Sequence, residues 1–289
     1  MLSTGASVLL SLLLTTASAQ DEPYCNTCIV VNATCYNTTF LFDLDAPFRN
    51  DIIITKLGVL RTSNILYFSF EPPISDPEYY KIGFVNLDSP DKAGVISAGN
   101  KILNFGVFDI DQDNAILYLG GSDGIYLIDT KTRQVAPFSS RNDTIRSIFY
   151  KGHVYFVVEG QNNIVRKKGD LFDILVDFTP VINFVINKYN VIIFLSKYGL
   201  FAKRNNELVR LSKNAYIRGL TIDLEDDVYA WWVDGIYKVI IEKIFGKSRL
   251  VKIADIPLIG ALTFDNNNNF LFTSGRGLYR LIETNNTFC

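Results

Sequence analysis

The sequence predicts an all-β fold, a six-bladed β-propeller whose ring is closed by an N-terminal strand that completes the last blade. Three observations predict it: a repeat of about forty residues, a strand-favouring composition, and an N-terminal strand with no blade of its own. The repeat is an apolar pair, a glycine, then Ile-Tyr or an equivalent before a charged turn. It reads Gly124-Ile125-Tyr126, Gly235-Ile236-Tyr237 and Gly277-Leu278-Tyr279, with a weaker copy at Gly199-Leu200-Phe201 and a degenerate one at Asn163-Ile164-Val165. The copies are 39, 36, 36 and 42 residues apart. The units begin at Ile52 and near Asn104, Ile145, Ile182, Ile217 and Ile259. After Ile282 only seven residues remain, so the last unit lacks an outer strand. Phe40-Leu41-Phe42 lies upstream of the first unit and is the strand available to supply it, since an unpaired first or last blade would leave an open edge.

The composition agrees. Among 289 residues there are 21 Phe and 15 Tyr but one Met, and aromatic and β-branched side chains fit a pleated, half-buried surface. Lys and Arg number 28 against 30 Asp and Glu, a net charge of -2, which gives no ground for a nucleic-acid partner. Val8–Leu14 followed by Ala17-Ser18-Ala19 reads as a secretory signal over residues 1–19, leaving 20–289 as a single domain outside the cell. No later apolar run is long enough for a membrane anchor. In an oxidising compartment Cys25, Cys28, Cys35 and Cys289 are expected in two disulfides. Of the three possible pairings, Cys25–Cys289 with Cys28–Cys35 is preferred, because the first would lock the ring closure. Asn32, Asn37, Asn142 and Asn285 head Asn-x-Thr sequons and are expected at the surface.

Asp111, Asp223 and Asp265 end the innermost strand of three units. Five residues earlier the units carry Gly106, Arg146, Asn183, Arg218 and Gly260, and the first unit contributes Lys56. This column places three cations, an amide and two glycines at one mouth of a central channel, an arrangement that attracts an acidic ligand. The alternative role for the arginines is pairing with neighbouring Asp residues. Of Trp231 and Trp232, adjacent on a strand, one faces the core and the other is free to stack on a planar ligand, Trp232 being the candidate. Asp109, Asp111 and Asp113 lack the glycine and terminal Glu of a calcium loop and read as a strand end and turn. No catalytic constellation, metal site or cofactor motif is found, and His153 reads as a turn residue. The chain is therefore expected to be a non-enzymatic binder.

Tyr118-Leu119-Gly120-Gly121-Ser122-Asp123-Gly124-Ile125-Tyr126, together with Cys28-Ile29-Val30-Val31-Asn32 and Leu66-Tyr67-Phe68-Ser69-Phe70, resembles the ommochrome-binding proteins of lepidopteran haemolymph. The resemblance spans most of the mature chain, but these are strand motifs and carry no binding signature. It implies a monomeric haemolymph carrier of ommatin-type pigments, which are planar, aromatic and acidic. The ligand-binding candidates Lys56, Arg146, Asn183, Arg218 and Trp232 come from the column and the Trp pair alone. The competing classes are a calcium-dependent lactonase-like propeller enzyme of the regucalcin and gluconolactonase type and a protein-interaction propeller.

Overall fold

Apolar runs become strands, and the Asn, Asp and Gly clusters between them become turns, throughout the computed structural model. It describes residues 28–45, 52–71, 80–98, 101–102 and 104–284. The expected signal segment, Cys25, Cys289 and the sequon at Asn285 lie outside the described residues.

An N-terminal hairpin, β1 (Cys28–Val31) and β2 (Thr34–Asp43), comes first. The first four-stranded blade is β3 (Ile53–Leu60), β4 (Ile65–Glu71), β5 (Lys81–Asn86) and β6 (Ser89–Val95); a small pair, β7 (Ser97–Ala98) and β8 (Lys101–Ile102), follows it. The second blade is β9 (Phe105–Asp111), β10 (Ile116–Gly121), β11 (Gly124–Asp129) and β12 (Gln134–Ser139). The third is β13 (Ile145–Tyr150), β14 (Val154–Val158), β15 (Ile164–Lys168) and β16 (Leu171–Val176). The fourth is β17 (Asn183–Ile186), β18 (Ile192–Ser196), β19 (Gly199–Arg204) and β20 (Glu207–Ser212). Then come β21 (Gly219–Ile222), β22 (Val228–Trp232), β23 (Gly235–Ile240), β24 (Arg249–Ala254), β25 (Leu262–Phe264), β26 (Phe270–Ser274) and β27 (Gly277–Glu283).

The fold is an all-β propeller, but the six-blade expectation is corrected. Hydrogen bonding among the described residues gives four discrete four-stranded blades. A single nine-stranded sheet, in the order β21-β22-β23-β24-β1-β2-β27-β26-β25, takes the place of a fifth and a sixth. The cause is the N-terminal hairpin. β2 pairs with β27 from Tyr36↔Glu283 to Asp43↔Gly277 and with β1 on its other side. β1 reaches β24 through Val31↔Ala254, and the Asn32 N–H donates to the Ile253 carbonyl at 2.8 Å. The N-terminal strand is therefore internal to a continuous sheet and does not finish a separate last blade.

Second strands are sandwiched on both faces and show no alternation: every residue of β14 and of β18 is buried. Large cores gather around Phe68, Phe70, Trp231 and Phe272 on one side and Phe184, Phe194 and Val185 on the other. The innermost strands end on a recurring side-chain turn. Asp223 Oδ1 accepts from the backbone N–H of Glu225 (3.0 Å) and Asp227 (2.8 Å), and Asp265 Oδ1 from those of Asn267 and Asn269 (both 2.9 Å). Asp111 and, in the fourth blade, Asn187 do the same. The acidic positions shared by the units are thus turn closures, which satisfy orphan backbone donors.

The glycine of the repeat has a comparable explanation. Gly124, Gly199 and Gly235 have φ of +89°, +119° and +149°. A Cβ at these positions would strike the carbonyl oxygens of Ser139 and Ser140, of Ser212 and of Ala254 respectively. Each stands beside a register shift between the third and outer strands, so the bulge closes over the bare glycine.

Cys35 is a buried free thiol, which removes the expected Cys28–Cys35 bridge. Register explains it: Cys28 faces Asn37 across the hairpin and Cys35 faces Val30. Cys28 is disulfide-bonded to a partner outside the described residues. Asn32 and Asn142 are exposed and Asn37 half-buried. No helix among the described residues is long and apolar enough to cross a membrane.

Gly235→Ala is expected to cost at least about 2 kcal/mol, from left-handed backbone strain plus the collision with Ala254. Gly246→Ala, where a Cβ meets nothing within contact distance, serves as the control. Urea denaturation of the two variants against the parent measures the difference.

Candidate functional site

The innermost strands β3, β9, β13, β17, β21 and β25 neighbour one another in that order, and β25 returns to β3. They enclose a central channel holding a cavity of about 280 Å³, lined by Lys56, Asp109, Tyr150, Asn183, Trp231 and Phe264 among others.

Lys56 follows a bulge between Ile54 and Lys56 in the β3–β4 pairing, a device that re-aims a side chain. Its Nζ donates to the Phe108 and Ile148 carbonyls and lies 3.5 Å from Asp109 Oδ1. It also sits 5.3 Å from the centre of the Phe108 ring. Three acceptors for three ammonium protons make this a fully occupied cation position. Asp109 Oδ2 in turn accepts from the Tyr150 N–H at 2.6 Å. Burial pushes the Asp109 carboxyl above its ordinary range, and Lys56 and the Tyr150 N–H oppose that rise without cancelling it.

Trp231 lines the channel near the end where the innermost strands begin. Trp231 stands opposite Gly219, and a Cβ on Gly219 would run into its indole ring. The ring lies towards the neighbouring strand, where Nε1 donates to the Gly260 carbonyl at 3.1 Å. The other end, where the strand turns lie, is polar: Lys151 Nζ bonds Asp226 Oδ2 (2.8 Å) and the Asn187 carbonyl (2.7 Å). Beyond it Asp227 is shared by Lys188 (2.7 Å) and Lys238 (2.9 Å), which hold its carboxyl below the usual range against the effect of burial.

The structure separates the residues that the sequence grouped at one mouth. Lys56 and Asn183 line the cavity. Arg146 falls on a bulge between Ile145 and Ser147 and is exposed. Arg218 is exposed at the entrance to β21, its Nη1 donating to the Ile259 carbonyl at 3.0 Å. Among the described residues neither pairs with an aspartate, and neither lines the cavity. Trp232 is half-buried, and it is Trp231 that reaches the channel. The glycines of the column make room for the protein's own side chains: a Cβ on Gly106 would strike the Tyr80 ring and one on Gly260 the Thr273 hydroxyl. Asp109 was read as part of a turn, and the structure makes it the carboxylate of the channel. Its place two residues before the turn-closing Asp111 was the one available signal. Among the described residues, no group of three or more His, Cys, Asp and Glu is placed to hold a metal ion.

Fold and channel define an all-β propeller with one charged, aromatic-walled central cavity. No family model matches the chain. It is similar to the ommochrome-binding protein of Manduca sexta, with 24% identity over 260 residues covering 88% of this chain and 90% of that one. Two solved structures share the fold. A gluconolactonase from Xanthomonas campestris has a TM-score of 0.63 at 10% identity, covering 90% of this chain and 96% of its own. Virginiamycin B lyase from Staphylococcus aureus has a TM-score of 0.60 at 11% identity, covering 85% and 99%. Both are enzymes by name, so the expectation of a non-enzymatic chain is corrected: this fold is one on which enzymes are built, and it gives no ground for excluding catalysis.

Lys56→Met is expected to destabilise the protein by about 2 kcal/mol at neutral pH, because it leaves a confined carboxylate without its counter-charge. Asp109→Asn in the same chain should recover part of that loss. Protonated Asp109 needs no ammonium, so the deficit of Lys56→Met should shrink as pH falls through the raised Asp109 pKa. Urea denaturation of the single and double variants across that range checks both the sign and the coupling.

Proposed function

We propose that the channel binds an acidic, planar aromatic molecule of the ommochrome class, and that the chain is a secreted carrier for it in haemolymph. The observation that carries this reading is the similarity to the ommochrome-binding protein over nearly the whole of both chains. The channel adds a chemical rationale: Trp231 and Phe264 offer flat apolar area, and Lys56 and Asn183 offer donors to an acid group. Arg146, Arg218 and Trp232 are not among the residues lining the cavity, and this reading gives them no role in it.

Asp109 competes with the ligand for Lys56. An anion should therefore bind more tightly as pH falls through the raised Asp109 pKa, where the carboxylate gives up its claim. Trp231 and Trp232 are the only two tryptophans of the chain, so Trp232→Phe leaves a single reporter in the cavity wall. Ommatin should quench that reporter, Lys56→Met should weaken binding about tenfold and remove its pH dependence, and Arg146→Ala with Arg218→Ala should leave affinity intact. Absence of quenching would sink the reading.

A second reading, a calcium-dependent lactonase-like enzyme, draws its support from the shared fold. Against it, the Lys56 ammonium already occupies the carboxylate and two carbonyls that a divalent ion would need. Lactone hydrolysis abolished by a chelator would favour this reading over the carrier.

A further inference from the structure

Four outer strands, β6, β12, β16 and β20, form the free edges of the discrete blades, while β24 and β2 are covered by β1. Exposed sheet edges are sites for pairing with another chain unless proline or charge blunts them. β6 carries Pro90, Asp91 and Lys92; β12 carries Pro137; β20 carries Glu207 and Arg210, both exposed. β16 reads Leu-Phe-Asp-Ile-Leu-Val, with no proline and no basic residue. Leu171, Phe172 and Ile174 are 71%, 50% and 60% exposed, the densest run of exposed apolar side chains on any one strand described. The single charge, Asp173, is neutralised within the blade by Arg166 Nη2 at 2.5 Å.

We infer that β16 is a self-association edge, pairing antiparallel with β16 of a second copy of this chain about a twofold axis. Self-pairing is favoured because the hairpin is its own electrostatic complement. Lys167 and Lys168 stand at its turn, with Asp170 offsetting one of them, and Asp177 follows its far end. The register that sets Phe172 against the second copy's Ile174, centred on the neutralised Asp173, brings the lysine end of each hairpin to the Asp177 end of the other, twice. The bulge at Leu175 leaves Leu171–Ile174 as the regular stretch for pairing.

Sedimentation velocity of the full secreted chain over a dilution series into the high micromolar range should show a monomer–dimer equilibrium. Ile174→Lys should abolish the dimer, whereas Leu208→Lys on β20, an equally superficial apolar residue, should leave it unchanged. The double variant Phe172→Cys with Ile174→Cys should give a covalent dimer on oxidation, since residues opposite one another in such a pair lie within disulfide reach. A chain that stays monomeric at every concentration overturns the inference, and so does a dimer that survives Ile174→Lys. Pigment titration is independent of both outcomes and tests the channel separately.

Discussion

Everything in this molecule depends on the pairing of β2 with β27, which joins the two ends of the chain. Without it β27 would be a naked edge, and β25 would be held beside β3 only by core packing and by the bonds of Asn266 to Arg61 and Asn64. The junction has support beyond the strand ladder. The Leu44 N–H donates to the Arg276 carbonyl at 2.9 Å, Arg276 pairs with Asp45 at 2.9 Å, and the Phe40 and Tyr279 rings meet edge-on at 5.4 Å. The entropy of closing so long a loop grows only with the logarithm of its length, so one well-packed strand pair suffices to close the ring.

Closure in turn creates the electrostatics of the channel. A carboxylate at Asp109 is tolerable because β3 and β9 are held side by side, which places Lys56 within reach. The ammonium is itself surrounded by carbonyls of β9 and β13, so three innermost strands share one cation. Such a position is rigid and close to neutral overall.

Much of the fold was legible in the sequence, and particular residues show where legibility stopped. Gly124, Gly199 and Gly235 marked the period because a backbone conformation demanded glycine there, and such local demands survive in a single sequence. The hairpin contact between Val31 and Ala254 left no such mark, since nothing local to either residue announces a partner more than two hundred positions away. It is this contact that turned two expected blades into one sheet. Of the column aligned from the units, Lys56 and Asn183 line the cavity, whereas Arg146 stands at a bulge and is exposed. Asp109 and Trp231 were missed for opposite reasons: one resembled the turn aspartates beside it, and the other resembled ordinary core.

The shared fold sets a place for chemistry without choosing the chemistry. At about a tenth of residues identical, the gluconolactonase and the lyase have the fold in common with this chain. Here the lining holds a cation supplied by the chain itself, already partnered by Asp109. A ligand therefore gains little from charge alone. It must replace the bond of Asp109 to Lys56 with one as good and add contact area against Trp231 and Phe264. A small anion meets only the first demand and a neutral aromatic only the second. On the proposed reading a flat aromatic acid meets both, and selectivity for that class would rest on the pairing of Lys56 with Asp109 more than on the arginines.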